Sequence, residues 1–317
     1  MAPRFFQIGL TAAVVSIALG GCVTTGIAPA STPGRSPAAL PAAPVVTPPT
    51  PESLAERIYY QRVEANYRAQ DLLRGDDGAA DAPFDARDLA ENFLRIAFYD
   101  EFTERDGVLV EEASENRLHR WQQPVRLSVE FGPSVPLEQR AADQAAIATY
   151  AARLSRLTGL PIRLSGWRPN HVVLIVNEGE RSGLSDRVLA FAPEVSQAAL
   201  DTVTQMRPDT YCTVFSFTPG TSPAYSGALT IIRGELPDRL RLSCIHEELA
   251  QSLGLIADHP HARPSIFNDN EEFALLTKQD ELMLRMLYDQ RLRPGMTLAE
   301  ARPIVEVMAA EHLPGES

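Results

Sequence analysis

The sequence predicts an α+β protein in which a mixed sheet is flanked by helices and preceded by a small helical layer. Three observations carry this. Val125 to Phe131 alternates apolar and polar residues, the mark of a half-buried strand. The Ala-rich stretch 137–158 places Ile147, Tyr150 and Leu154 on one helical face and closes near Gly159. Further strand-like runs at His171–Val176, Tyr211–Phe217 and Gly227–Ile232 then lead into a helix at Ser243–Leu253, an order that gives α+β.

Before the sheet, Ser53-Leu54-Ala55-Glu56 has capping-box spacing, and Ile58, Tyr59, Val63 and Tyr67 follow at near-helical intervals. The spacing predicts a helix over 53–74, ended by the Gly/Asp/Ala loop at 75–83. A second helix is expected from Asp85 to Phe102, with Leu89, Phe93, Ile96 and Phe98 apolar. After the sheet, Thr297-Leu298-Ala299-Glu300 is another capping box, opening a helix with Ile304, Val305, Met308 and Leu313 on its apolar positions. That helix packs back on the domain or offers a face to a partner.

Composition narrows the function classes. Of 317 residues, 44% are hydrophobic and 22% charged, the balance of a folded chain rather than a disordered or multi-span membrane protein. Lys and Arg number 29 against 41 Asp and Glu, a net charge of −12. Such a surface repels phosphate backbones, so no nucleic-acid partner is expected. It also repels anionic lipid overall, so membrane attachment calls for an apolar or covalent anchor.

The N-terminus supplies one. Arg4 is followed by an apolar run from Phe5 to Leu19, too short to span a bilayer comfortably, and then by Leu19-Gly20-Gly21-Cys22. This resembles the lipobox of bacterial lipoproteins, which implies a signal peptide over 1–21, cleavage after Gly21 and acylation of Cys22. The expected location is the cell envelope, facing the periplasm. Val23, where an Asp would favour the inner membrane, leans toward the outer one. Residues 23–52 hold 8 of the 25 prolines, so 22–52 reads as an extended tether beyond the lipidated Cys. Only Cys212 and Cys244 remain, without C-x-x-C spacing. In an exported protein they pair as a disulfide or stay as two buried thiols.

The chemistry-bearing stretch is His246-Glu247-Glu248-Leu249-Ala250-Gln251-Ser252-Leu253-Gly254. Compared with the zincin helix H-E-x-x-H, position 250 is Ala and the second ligand is missing. In a register shifted by one, Glu247, Glu248, Gln251 and Gly254 fall on the landmarks of the metzincin motif H-E-x-x-H-x-x-G-x-x-H. At about 100° per residue, 247, 251 and 254 share a helical face. Downstream, Ser265-Ile266-Phe267 stands where metzincins carry their Met-turn, and Leu276-Thr277-x-x-Asp280 opens a helix ending in Leu287-Tyr288. The whole resembles an uncharacterised family of bacterial lipoproteins, a domain of unknown function placed among metzincin-like peptidases. That family has Glu-Glu-x-x-Gln in place of the zinc motif and a closing Leu-Tyr-Asp…Gly-Met, here Leu287-Tyr288-Asp289 and Gly295-Met296. The resemblance covers roughly residues 118 to 300. It implies a metzincin-like domain over 118–293, while the capping boxes and apolar spacing give the helical N-terminal layer over 53–117 and the C-terminal helix over 294–317.

The departures bear on function. Glu247 and Gln251 replace the helical His ligands, Ala257 takes the third ligand position with Asp258, His259 and His261 just beyond, and Phe267 replaces the Met. Imidazole is a good zinc ligand and a primary amide a poor one, so ordinary zinc peptidase activity is not expected. Three readings stand. Glu247, Gln251 and Asp258 form an oxygen-rich site for a divalent ion such as calcium, with Glu248 as general base. Alternatively, the domain is a pseudo-peptidase whose cleft binds a peptide, glycan or envelope protein. In the third, the acids are solvated helix charges, Gln251 bonds within the core, and the protein is a structural lipoprotein. His259-Pro260-His261 reads as a loop unless His246, His259 or His261 contributes to metal binding, and Trp121 and Trp167 read as core or strand-end packing unless they line a cleft. Serine-hydrolase, P-loop and dinucleotide signatures are absent from the sequence.

Overall fold

A computed structural model describes residues 46–105 and 108–314. The expected leader, Cys22 and most of the tether lie outside the described residues. Among these, no helix is long and apolar enough to cross a membrane.

The fold is α+β. Helix α1 (Pro51–Ala69) is capped by Thr50, whose hydroxyl accepts from the Ser53 amide. Pro51 occupies the first turn, where its missing N–H has no role, so the helix starts ahead of the capping box at Ser53. It also ends before the expected position 74, because Asp71 and Leu73 take left-handed φ values of 58° and 57°. Helix α2 (Ala86–Ala97) has a reciprocal cap between Asp85 and Asp88 and buries Leu89, Phe93, Leu94 and Ile96.

The expected extension of this helix to Phe102 is wrong. Strand β1 (Tyr99–Arg105) begins two residues after α2 and pairs antiparallel with β2 (Val108–Glu115), so the stretch 53–117 is not wholly helical. Short β3 (Arg120–Trp121) pairs with β8 (Ala224–Tyr225). The main sheet contains β4 (Val125–Phe131), β5 (Ile162–Leu164), β6 (His171–Val176), β7 (Cys212–Phe217) and β9 (Gly227–Arg233), in the order β5-β4-β6-β9-β7. Four strands run parallel and β7, at one edge, runs antiparallel to β9.

Both faces of this sheet are covered at its centre, which explains why β6 reads as an unbroken apolar run. Val173 and Ile175 join the larger core with Ile147, Tyr150 and Leu154 of α3 (Leu137–Thr158) and with α7 (Asp238–Gln251). Val172, Leu174 and Val176 point the other way. They pack against Val188 of α5 (Ser185–Phe191) and Leu200 and Val203 of α6 (Gln197–Thr204), beyond the single-turn α4 (Glu178–Arg181). Helix α7 starts five residues before the expected Ser243, directly after Pro237, because Leu240 and Arg241 are already buried. Helix α8 (Lys278–Leu287) follows the loop after α7. Helix α9 (Leu298–His312), capped by Thr297 and Glu300, buries Val305 and Met308 alongside α2.

Candidate functional site

The site grows from the end of α7. Cys244 is joined to Cys212, the first residue of edge strand β7, with the Cα atoms 5.9 Å apart. The disulfide therefore pins α7 against the edge of the sheet. One turn further on, Glu248 lies about 40° around the helix from Cys244, and Gln251 about 60° from Glu248. These three share the inward side: Cys244 is 3% exposed, Glu248 4% and Gln251 9%. Glu247 is half-buried beside them.

His246 faces elsewhere. Its ring stacks on Tyr150 of α3 at 3.9 Å, and its Nδ1 accepts the Leu276 amide at 3.0 Å. Burial, with Arg153 and Arg239 nearby, lowers its pKa to about 3, so the ring is neutral and carries its proton on Nε2. It packs against α3.

The chain leaves α7 through Gly254, at φ 123°. A Cβ here would overlap the His119 carbonyl oxygen, so glycine is required both by conformation and by the close approach. The carbonyls just past the end of the helix find side-chain donors: Trp121 Nε1 reaches Ser252 at 2.8 Å, and the Tyr288 hydroxyl reaches Leu253 at 3.0 Å. Ile256 and Ala257 then donate their amides to the Ile96 carbonyl at 3.0 and 3.1 Å, which seats buried Ala257 on α2. Asp258 follows half-buried, and the His259 amide bonds Phe267 O at 2.7 Å. His261 is exposed, and its ring centroid lies 5.4 Å from that of His259, whose pKa is lowered chiefly by burial.

Further along the chain, the Ser265-Ile266-Phe267 turn is held by one carboxylate. Ser265 Oγ donates to Asp280 Oδ1 at 2.5 Å, and the Ile266 and Thr277 amides donate to Oδ2 at 3.2 and 2.8 Å. The Phe267 amide donates to Ser265 Oγ at 3.0 Å, and the Phe267 side chain is fully buried. Burial raises the pKa of Asp280, opposed by these hydrogen bonds.

Three residues missed by the sequence reading adjoin this frame. The hydroxyls of Tyr67 on α1 and Tyr211 beside the disulfide lie 3.0 Å apart. Glu271, whose pKa burial raises to about 7, acts electrostatically on Tyr211. The acidic run Asp269-Asn270-Glu271-Glu272 just after the turn was the available signal.

A second missed group lies at the carboxyl ends of β6 and β9. Fully buried Arg233 donates to Glu56 at 2.6 Å and to the carbonyls of Met206, Arg207 and Thr210 at 2.7, 2.6 and 2.8 Å. It thereby fixes the loop that delivers Tyr211 and Cys212. Arg181 pairs with Glu178, and fully buried Glu235 accepts the Glu178 amide. Burial raises the Glu235 pKa to about 7. Arg233-Gly234-Glu235 directly after an apolar strand was its sequence signal.

Metal chemistry can be tested on these donors. Among the described residues, no group of three or more His, Cys, Asp or Glu is placed to hold a metal ion. The helix offers two carboxylates and an amide, and His246 Nδ1 is committed to Leu276. This set does not fit zinc.

Residues 86–307 match the family model described as Protein of unknown function (DUF2927). The chain belongs to the DUF2927 family. No curated protein and no solved structure matches it. The DUF2927 match runs from the start of α2 into α9, so it includes α7, the Ser265–Phe267 turn and Asp280, while Tyr67 and Glu56 on α1 lie outside it.

Proposed function

We propose that this DUF2927 chain is a lipid-anchored cell-envelope protein. Its metzincin-like domain binds a peptide, glycan or protein ligand in the cleft beside α7 and does not cut it by zinc chemistry. One observation carries the reading. The features shared with metzincins form a connected frame of Gly254, the clamped Ser265–Phe267 turn and Tyr288, while the ligand positions hold Glu247, Gln251 and buried Ala257. A frame kept without its zinc ligands suits recognition better than hydrolysis. Within these ligand classes, edge strand β7 favours an extended peptide, because a sheet edge presents backbone donors and acceptors for strand addition.

The second reading is a metal-dependent hydrolase with Glu248 as general base and Glu247, Gln251 and Asp258 around an oxygen-binding ion. The burial of Glu248 at the general-base position favours it.

Elemental analysis separates the two. The full chain, extracted in detergent without chelator or polyhistidine tag, is compared with a Glu247→Ala/Gln251→Ala variant. The binding reading expects no metal in either after zinc and calcium are supplied. Near-stoichiometric metal lost in the variant would replace it with the hydrolase. Anchoring is tested separately by labelled-palmitate incorporation, expected in the wild type and absent in Cys22→Ser.

A further inference from the structure

The charge of this acidic chain is unevenly distributed. From Gln144 to Asn177 there is no Asp or Glu and there are four arginines, against a net charge of −12 for the whole. Arg153 pairs with Glu281. Arg156, Arg163 and Arg168 are exposed, and with Arg126 they form no ion pair among the described residues. Arg126 and Arg163 are register partners on adjacent parallel strands, so two like charges stand side by side at the β5 edge, an arrangement that costs stability. The nearest acid along β4 on that face, Glu130, is held by Arg187.

Beside these arginines stands Trp167, 73% exposed. Its loop is built to present it. Ser165 Oγ donates to Trp167 O at 3.1 Å, and Arg126 Nε reaches Arg168 O at 2.7 Å. The Asn170 side chain ties the loop to the Pro124 carbonyl and the Arg126 amide at 3.0 and 2.6 Å. Arg168, at a left-handed φ of 46°, places its guanidinium 5.4 Å from the indole centroid. Arg156 lies next to Ser155, whose hydroxyl accepts the Ile162 amide, and extends the charge around the edge.

We propose that this edge of the sheet, with Arg126, Arg163, Trp167 and Arg168 on one side and Arg156 of α3 around it, rests on an anionic lipid surface. Guanidinium groups pair with phosphates, and an indole with a polar tip prefers the headgroup level of a bilayer. A soluble polyanion would satisfy the arginines and leave the indole in water. The acidic remainder of the chain does not cancel the attraction, because charges farther than about 10 Å are screened at cellular ionic strength. The inference goes beyond the cleft reading and uses none of its residues.

The test reads Trp167 directly. The chain has two Trp, and Trp121 is 1% exposed and bonded to Ser252, so a Trp167→Phe variant gives the buried baseline. The full chain is mixed with vesicles of phosphatidylcholine, or of phosphatidylcholine and phosphatidylglycerol, each carrying an acyl-chain bromine quencher near the interface. Quenching above baseline is expected only with phosphatidylglycerol. It should be lost in Arg156→Gln/Arg163→Gln/Arg168→Gln and weakened in about 0.5 M salt. Equal quenching in both vesicles, or none, overturns the proposal. So does saturable dextran sulfate binding that is lost in the triple variant and accompanied by no lipid quenching. A wrong anchor assignment shows separately, as failure to co-float with phosphatidylcholine vesicles, and leaves the quenching comparison readable.

Discussion

The Leu276 amide donates to Nδ1 of His246 across 3.0 Å, joining the middle of α7 to the approach of α8. That bond takes one ring nitrogen, and stacking on Tyr150 fixes the ring plane. His246→Phe keeps a ring on Tyr150 but leaves a buried N–H without an acceptor, so it should lower unfolding stability by about 1–3 kcal/mol near pH 7.5. The folded pKa is lowered, so the wild type loses stability as pH falls below the unfolded value of 6.5 toward about 3. The gap between wild type and variant should therefore shrink by about 1.4 kcal/mol per pH unit in that window, measured by denaturant unfolding.

Gly254 and Gly159 form a matched pair. Both have positive φ, 123° and 71°, yet only at Gly254 would a Cβ strike backbone. Gly159→Ala should cost about 1 kcal/mol, the conformational part alone, and Gly254→Ala more than about 3 kcal/mol. Similar losses at the two positions would show that the approach of His119 is not what demands glycine.

The Cys212–Cys244 bond closes a loop with a sequence separation of 32. Loop-closure entropy sets its contribution at about 3–4 kcal/mol, so reduction should lower the melting temperature of otherwise intact protein. Denatured, unreduced Cys22→Ser protein should contain no free thiol, and two titratable thiols would remove the bond.

Glu235 titrates in the opposite sense to His246. Its folded pKa is raised from 4.5 to about 7, so its contribution is fully present below pH 4.5 and is lost as pH rises through 7. Glu235→Gln copies the protonated form and keeps an oxygen for the Glu178 amide. It should be near-neutral at pH 5 and more stable than wild type by up to about 3 kcal/mol at pH 8. A variant equally destabilised at both pH values would show that Glu235 is ionised in the folded protein.

Much of the sheet was legible because local pattern and tertiary place agree. Val125–Phe131 alternates, His171–Val176 is continuously apolar and doubly covered, and α3 ends at a left-handed Gly159. The hairpin β1–β2 was not, because Tyr99 to Phe102 prolongs the apolar spacing of α2. The Asp106-Gly107 pair between the two strands was the stronger signal. At the site, Gly254, Ser265 and Asp280 were readable as a motif, and so was the cystine pairing as one of two outcomes. Tyr67, Tyr211, Glu271 and the Arg233 group were not, since they come from segments far apart in the chain and no local period brings them together.

None of the atoms that Asp280 holds belongs to α7. One carboxylate serves both the Ser265–Phe267 turn and the first turn of α8, so those two segments can change only together. Glu247, Glu248 and Gln251 of α7 are not among its partners. The turn and α8 are thus held independently of the α7 side chains at which chemistry would be written, an arrangement in which one set on α7 can be exchanged for another on an unaltered frame.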